Sequence, residues 1–541
     1  MKVRFKSLPT NTPSLFPEDI FDKIGANDPV RLINELVDNL NIDHIISEYK
    51  GGGTTSFHPR MMIKVLFYAY FNNIYSCRKI EKALGENIHF MWLSGNSKPD
   101  YRTINYFRSK RLKNHIHRLF ADVTVVLQNL GYVSLNVQYI DGTKIESSAN
   151  RYSFVWKKSV EKNKLKLEAQ IHSVLEDIES QIKEERYESH EKTLPKSIDS
   201  RELQDKIAEL NHSVAQDNKT GKKLIKKLQH QDLPRLQKYE DQLKILSGRN
   251  SYSKTDPDAC FMRLKDDHMK NGQLKPAYNA QISTENQFIT HYSIHQTPGD
   301  TTTLKDHLNS FENQYHKQSK EVVADAGYGS EENYEMMAEK AIEGYVKYNN
   351  FHKEQKRSEK NNAFAVQNLY YNEENNFYVC PCGQQMNFIG KGKRISSNGY
   401  ESQVHYYQAF RCQGCPLRES CHQSQDNRLI EVNYNLNHHR MKARQRLISE
   451  KGHYHRSKRP IEVEAVFGQL KSNNKFSRFT LKGLEKVNIE FGLMALAHNL
   501  RKLVKNRKLN RKNWLNTLKC KQHMHLFHKY MKIQKYKDTI P

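Results

Sequence analysis

Arg459-Pro460-Ile461-Glu462-Val463-Glu464-Ala465-Val466-Phe467-Gly468-Gln469-Leu470-Lys471 is the stretch whose reading decides the fold. Read as an α-helix, it places Val463, Val466, Phe467 and Leu470 at i, i+3, i+4 and i+7, the spacing of one buried face. Pro460 suits the first turn, where an N–H is not needed. Glu464 and Lys471, seven residues apart, then stack along the rim of that face, with Gly468 between them leaving an open groove. Two other segments, Ile140-Asp141-Gly142-Thr143 and Val322-Val323-Ala324-Asp325-Ala326-Gly327-Tyr328-Gly329, each read as a short apolar strand running into an aspartate and a glycine. Both place a carboxylate at a strand end. Asp-Gly is also a strong two-residue hairpin signal, so Asp141 has a turn-forming alternative.

Together these residues resemble the DDE transposases of bacterial insertion sequences. The resemblance rests on Asp141 in YIDGTKIES, Asp325 in VVADAGYGSEENY and Glu464 in IEVEAVFGQLK, with Lys471 completing an E-x6-K spacing. It extends over the helical opening segment and the closing GLEKVNIEFGLMALAHNLRKL helix, and leaves out a charged insertion. It implies a ribonuclease-H-like catalytic core that cleaves DNA at the element's terminal inverted repeats and joins the ends to target DNA, with a homodimer on the double-stranded DNA. The three acids would hold two Mg²⁺ (or Mn²⁺) ions, an all-oxygen ligand set suited to such cations. Two ions of this kind activate water or a 3′-hydroxyl and stabilise the departing oxygen. Lys471 would hold a DNA phosphate. The family often carries Tyr and Arg seven and four residues before the Glu, where this chain has Ser457 and Pro460; Tyr454, Arg456 and Arg459 would substitute, with Arg456 and Arg459 on the DNA.

The 541 residues carry a formal charge of +26, with a pI near 9.4. A long polyanion is the economical partner for such a chain, because clustered Lys and Arg release counterions condensed on phosphate backbones. The N-terminal MKVRFKSLPTNTPSLFPEDI has no apolar core and no later stretch approaches eighteen apolar residues. Neither secretion nor a membrane span is indicated, and a cytoplasmic, nucleoid-associated location is expected. Five of the eight cysteines lie between Cys380 and Cys421. Such clustering suits a metal site better than a disulfide framework.

Residues 1–130 read as an all-α DNA-binding domain. Its last helix opens at Asp100 as N-cap and carries Arg102, Arg108, Lys110, Arg111 and Lys113 for DNA. The α/β catalytic core is expected in three pieces, 131–158, 250–350 and 431–503, in which LKPAYNAQIST and QFITHYSIHQ pair as strands. Asp258 and Asp300 are rivals for carboxylate duty or groups supporting it, but neither follows an apolar strand and both rank below Asp325: Asp258 would organise a strand entry and Asp300 cap a helix. Residues 159–249 form a helical, coiled-coil-like insertion in which Leu167, Ile171, Val174, Ile178 and Ile182 make one stripe. Leu203, Ile207, Leu210 and Val214 make a second, and Leu236, Tyr239, Leu243 and Leu246 a third. Residues 351–430 form a Cys-rich insertion. There Cys380, Cys382, Cys412 and Cys415 offer thiolates for one zinc ion, with Cys421 or His422 as alternate ligands. From Arg501 onward thirteen Lys or Arg face one acid, Asp538, so residues 504–541 read as a nucleic-acid-gripping tail. A DNA-binding regulator or decayed element would keep the basic modules without the acids. A plain ribonuclease-H-like nuclease without joining activity would need neither the helical module nor the tail.

Overall fold

The computed structural model describes residues 19–49, 55–186, 198–213, 218–264, 272–396 and 398–507. They fall into two units. The first comprises residues up to 135 with 285–290 and the chain from 489 onward, and the second comprises 136–284 and 291–488. The tail beyond 507, Val214 and the side chain of Ile182 lie outside the described residues. Among the described residues no helix is long and apolar enough to cross a membrane.

The first unit is helical. Its longer helices are α1 (Pro29–Asn39), α2 (Pro59–Phe71), α3 (Cys77–Glu86), α4 (Ile88–Ser94), α5 (Tyr101–Tyr106) and α6 (Ile116–Asn129). Asp100 caps α5 by accepting a hydrogen bond from the Thr103 amide at 2.8 Å. Met62, Val65, Leu66 and Ala69, spaced for one helical face, are all buried. The closing helix, Leu484–Arg507, contributes its later turns to this unit. There the Asn499 side chain bonds both the amide and the carbonyl of Ile289 at 2.8 Å.

The second unit is built on β1 (Val137–Glu146). Between β1 and the next strand of its sheet stands the helical insertion: α7 (Lys157–Arg186), α8 (Ser200–Ser213), α9 (Lys219–Lys227) and α10 (Leu233–Leu246). Leu167, Ile171, Val174, Ile178, Leu203, Ile207, Leu210 and Leu236 form its core, as their stripes require. Antiparallel pairing of Phe154–Trp156 with Ser251–Ser253 closes its base.

The remaining strands of the main sheet are β2 (Cys260–Arg263), β3 (Leu274–Glu285), β4 (Phe288–His295), β5 (Glu321–Ala324) and β6 (Glu343–Val346). Their order is β2-β3-β1-β5-β6, with β4 also paired to β3. β1 runs antiparallel to β3 and parallel to β5, and β5 runs parallel to β6. Helices α11 (Leu304–Tyr315) and α12 (Glu331–Glu339) complete this α/β layer. Alternation along β5 serves both faces of the sheet. Val322 and Ala324 pack with Leu304, Leu308 and Met337, whereas Val323 packs with Tyr139, Tyr345 and Val463.

The Cys-bearing insertion is a five-stranded antiparallel sheet: β7 (Tyr370–Asn372), β8 (Phe377–Val379), β9 (Gln385–Ile395), β10 (Glu401–Ala409) and β11 (Leu429–Val432), ordered β11-β10-β9-β8-β7. The chain then returns through α13 (Tyr434–Ile448) and α14 (Glu450–Arg459).

Two local expectations change here. Asp141 lies inside β1, not at its end, and Asp-Gly makes no hairpin: Asp141 pairs with Ile282 and Gly142 with Gln281. β3 holds β1 extended through Glu146, while the parallel partner β5 pairs only as far as Tyr139. Asp141 therefore stands just past the point where β1 loses its neighbour on that side. Second, Pro460 does not open a helix. α14 runs straight into it, and the winding becomes π over Pro460–Glu464, α over Ala465–Gly468 and π again over Gln469–Asn473. A proline inside a helix lacks one donor and crowds the preceding turn, and a π turn absorbs both defects. Val463, Val466, Phe467 and Leu470 are buried all the same.

Candidate active site

β1, the turn after β5 and the π-wound stretch after α14 bring Asp141, Asp325 and Glu464 to one guanidinium. Arg459 reaches Asp141 at 3.2 Å and Asp325 at 3.7 Å through one terminal nitrogen, and Glu464 at 3.3 Å through the other. The nearer oxygens of Asp141 and Asp325 thus lie within about 7 Å of each other, a span that two bridged ions allow. Arg459 and Glu464 are five residues apart, a separation that one π turn brings together. Regular α-winding would point them apart. Asp325 holds its loop by accepting the Gly327 amide at 2.8 Å, and Asp141 accepts the Gly142 amide at 2.9 Å. A Cβ added at Gly468 would meet nothing within 4 Å, so the groove beside Glu464 is open as expected. Lys471 is half-buried on the second π turn.

Three further groups stand at this place: Asp300, which the sequence offers as a cap and a lower-ranked rival carboxylate, and two that it does not single out. Asp300 does not cap its helix with its side chain; its Oδ1 accepts from Asn279 at 2.8 Å and Gln281 at 2.9 Å. A Cβ placed on Gly142 would lie 2.7 Å from the same oxygen, which puts the Asp300 carboxylate against β1 beside Asp141 and explains the glycine. Tyr328 donates to Gln281. Burial, then the charges of Asp300, Asp141 and Asp325, push its phenol far above the ordinary range. Lys347, just past β6, is the third. Burial and the neighbouring Arg459 and Arg456 lower its pKa against the pull of Asp325 and Glu464. A polar residue at the mouth of a helix or strand signals a cap first, which is why the sequence ranks Asp300 below Asp325. Asp258 caps the closing helix through the Leu484 amide at 2.8 Å, while Asp256 accepts from Ser147, Tyr278 and Gly483.

A family described as "Transposase DDE domain" matches residues 379–504, and one described as "Transposase domain (DUF772)" matches residues 18–110. Both matches support an insertion-sequence DDE transposase. No curated protein and no solved structure matches it. The first match takes in Glu464, Lys471 and the cysteine cluster, and the second the helical module as far as Lys110.

Within the helical unit the five basic residues after Asp100 part company. Arg102 and Lys110 are exposed. Arg111 is half-spent, donating to the Glu48 carbonyl at 3.2 Å and lying 4.3 Å over the Tyr49 ring. Arg108, expected to face DNA, is turned inward instead. It is 4 % exposed and donates to the Tyr70 hydroxyl at 3.1 Å, the Tyr75 carbonyl at 2.8 Å and Asn105 at 3.2 Å. A π turn over Phe107–Arg111 rotates it into the core. Arg456 donates to His453 at 2.7 Å, and its Nε is buried without a hydrogen-bond partner.

In the five-stranded sheet, Cys380, Cys382, Cys412, Cys415, Cys421 and His422 line one small cavity of about 20 Å³, room for about one water-sized body. Gly383 and Gly414, at φ +81° and +74°, turn the chain beside the two cysteine pairs. The Cys382 and Cys415 sulfurs are 3.1 Å apart. Among the described residues no three His, Cys, Asp or Glu side chains have the spacing of a formed metal site.

Proposed function

We propose that this transposase binds the terminal inverted repeats of its element and catalyses metal-dependent DNA cleavage and strand transfer, with Asp141, Asp325 and Glu464 as the catalytic carboxylates of a ribonuclease-H-like core. The observation that carries the reading is the meeting of three carboxylates, from three separated parts of the chain, on the single guanidinium of Arg459. A parallel pair flanked on the other side by an antiparallel hairpin supports the ribonuclease-H-like core.

The donors fit hard divalent cations: all are carboxylate oxygens, two are half-exposed, and their side chains converge from different elements. Bound there, Mg²⁺ would polarise the phosphodiester and lower the pKa of an attacking water or 3′-hydroxyl. The chain's own part is positional. β3 keeps Asp141 rigid from the far side, the Gly327 amide fixes Asp325, and the π turn sets Glu464 and Arg459 on the same side of the helix. Arg459 balances the three negative charges until a cation takes that role, and then has a guanidinium suited to phosphate. Exposed Arg102 and Lys110, with Arg111, serve repeat recognition, Arg456 and Lys471 serve phosphate near the cut, and two copies pair on the DNA.

The same reading includes a structural zinc ion in the five-stranded sheet, held by Cys380, Cys382, Cys412 and Cys415 with Cys421 in reserve. Support comes from the thiol-lined cavity and from N–H groups aimed at sulfur: the Arg428 amide to Cys412 and its guanidinium to Cys421, both at 3.2 Å. Both ring nitrogens of His422 are buried there without hydrogen-bond partners. Full-length protein should carry one zinc by elemental analysis and lose it on Cys412→Ala with Cys415→Ala. Zinc-free native protein contradicts this part alone.

Cleavage is tested with a supercoiled plasmid carrying the genomic sequences that flank the coding region. Wild type with Mg²⁺ should cut at the repeat ends, and Asp141→Asn, Asp325→Asn or Glu464→Gln should retain DNA affinity and cut nothing. Cutting by any of the three at the wild-type rate removes that residue from the site.

A further inference from the structure

β5 and β6 end side by side. Ala324 pairs with Val346, and the Lys347 amide donates to the Ala324 carbonyl at 3.4 Å. Asp325 and Lys347 are therefore the first residues past two adjacent parallel strands, at the carboxyl edge where open α/β sheets bind their ligands. Lys347 is half-buried, and among the described residues its ammonium makes no hydrogen bond or ion pair. The charges that act on it most are the guanidiniums of Arg459 and Arg456, ahead of the carboxylates of Asp325 and Glu464. Arg459 is already shared among three acids, and Arg456 has a buried Nε with no partner. A partly desolvated ammonium beside two guanidiniums repels its neighbours, and an anion brought from outside relieves that repulsion. The compact three-donor head of lysine suits a single phosphate oxygen rather than a planar fork.

We propose that Lys347 contacts a non-bridging oxygen of the phosphodiester cut at Asp141, Asp325 and Glu464, gripping from the β6 side the phosphate that the acids approach from β1 and β5. The inference rests on the cleavage reading above and adds to it a substrate contact that none of the sequence motifs contains. Lys347 departs from the strand end next to Asp325, so its ammonium and the Asp325 carboxylate approach one substrate group from adjacent strands. Arg456, on α14, supplies the second cation of the clamp.

The test is single-turnover cleavage with Mg²⁺ of a duplex carrying one genomic flank, by wild type, Lys347→Ala and Lys347→Arg. Each acts on the native duplex and on duplexes with one neutral methylphosphonate at the cut or at either neighbouring phosphate. On native DNA, Lys347→Ala should slow cutting roughly 10- to 100-fold, with duplex affinity and thermal midpoint near wild type, and Lys347→Arg should recover most of the rate. Methylphosphonate at the cut should slow wild type and leave Lys347→Ala no further loss, while the neighbouring positions keep the full difference between the two proteins. An undiminished Lys347→Ala penalty at the neutral cut position overturns the contact, as does normal cutting of native DNA by Lys347→Ala. Should Lys347→Ala unfold, Lys347→Met repeats the comparison with the aliphatic stem retained. A wild type that cuts no flank overturns the cleavage reading and the contact together, a result distinct from loss of the pattern in an active enzyme.

Discussion

Replacing Arg459 by Met keeps most of the aliphatic stem and removes the charge at the centre of the site. The side chain is 8 % exposed and lies within 3.7 Å of all three carboxylates. Without it, two carboxylates about 6.5 Å apart repel by roughly 2–3 kcal/mol at an effective dielectric constant of 20. Asp325 and Glu464 are 44 % and 57 % exposed, so water screens much of this, and a net loss of about 1–3 kcal/mol is expected. For the second unit, residues 136–284 and 291–488, an unfolding entropy of about 2.1 cal/mol/K per residue makes this a fall of roughly 1–4 °C in thermal midpoint. Because the cause is repulsion between anions, the loss should shrink as salt is raised from about 20 mM to about 500 mM. Mg²⁺ at a few millimolar should raise the midpoint of the variant more than that of wild type, since a ligand of the native state stabilises it by mass action. The assay is differential scanning calorimetry under those three conditions. An unchanged midpoint at low salt, or a loss indifferent to both salt and Mg²⁺, would show that the three acids are not electrostatically joined and would undo the argument for a shared site.

Two further outcomes concern the helical unit. Arg108→Ala should destabilise it by about 2–4 kcal/mol, because the Tyr70 hydroxyl and the Tyr75 carbonyl lose a buried charged donor, whereas Arg102→Ala should leave the melting curve unchanged and narrow the preference for flank over random duplex; the reverse pattern in melting and gel-shift measurements would place Arg108 on the DNA. Asp122 on α6 has an oxygen buried without a partner, and burial raises its pKa to about 6 against the opposing charge of Arg118. A carboxyl whose folded pKa exceeds its unfolded value binds its proton more tightly when folded, so the unit loses stability as pH rises from about 4 through about 6 and recovers none above that. Asp122→Asn should therefore stabilise the unit at pH 8 by up to about 2 kcal/mol and flatten the pH dependence in that window; equal urea midpoints for the two proteins at pH 8 would contradict this.

Much of the site was legible because its residues sit in patterns with few meanings. The apolar run before Asp325 ends where the parallel strand ends, and Leu167, Ile171, Val174 and Ile178 could only be a packed helical stripe. Glu464 is a candidate through the family resemblance and its E-x6-K spacing, although both ends of that spacing sit on π rather than α winding. Pro460 invites a helix start from sequence, and only the preceding turns of α14 reveal that the chain passes through it in a π turn. That single change brings Arg459 to the acids rather than to solvent. Arg102 and Arg108 look equivalent in a basic string, since neither pattern nor charge reports that Tyr70 and the Tyr75 carbonyl wait for one of them. Lys347, and the place of Asp300 beside Asp141, were hidden for a related reason. Their importance comes from strand register, the one placing Asp300 against Gly142 and the other placing Lys347 beside Asp325, and register between distant strands is a tertiary quantity.

The measurement closest to the central claim joins residue, metal and DNA cut in one rate: single-turnover cleavage of a flank duplex by Asp325→Cys, compared with Asp325→Ala, in Mg²⁺ and in Mn²⁺. A thiolate is a poor ligand for Mg²⁺ and a better one for the softer Mn²⁺. If Asp325 holds the ion that drives the cut, the Cys variant should lose on the order of 100-fold or more in Mg²⁺ and regain a large part of it in Mn²⁺, while the Ala variant stays inactive in both. Wild-type cutting by Asp325→Cys in Mg²⁺, or equal recovery of the Cys and Ala variants in Mn²⁺, would contradict the account.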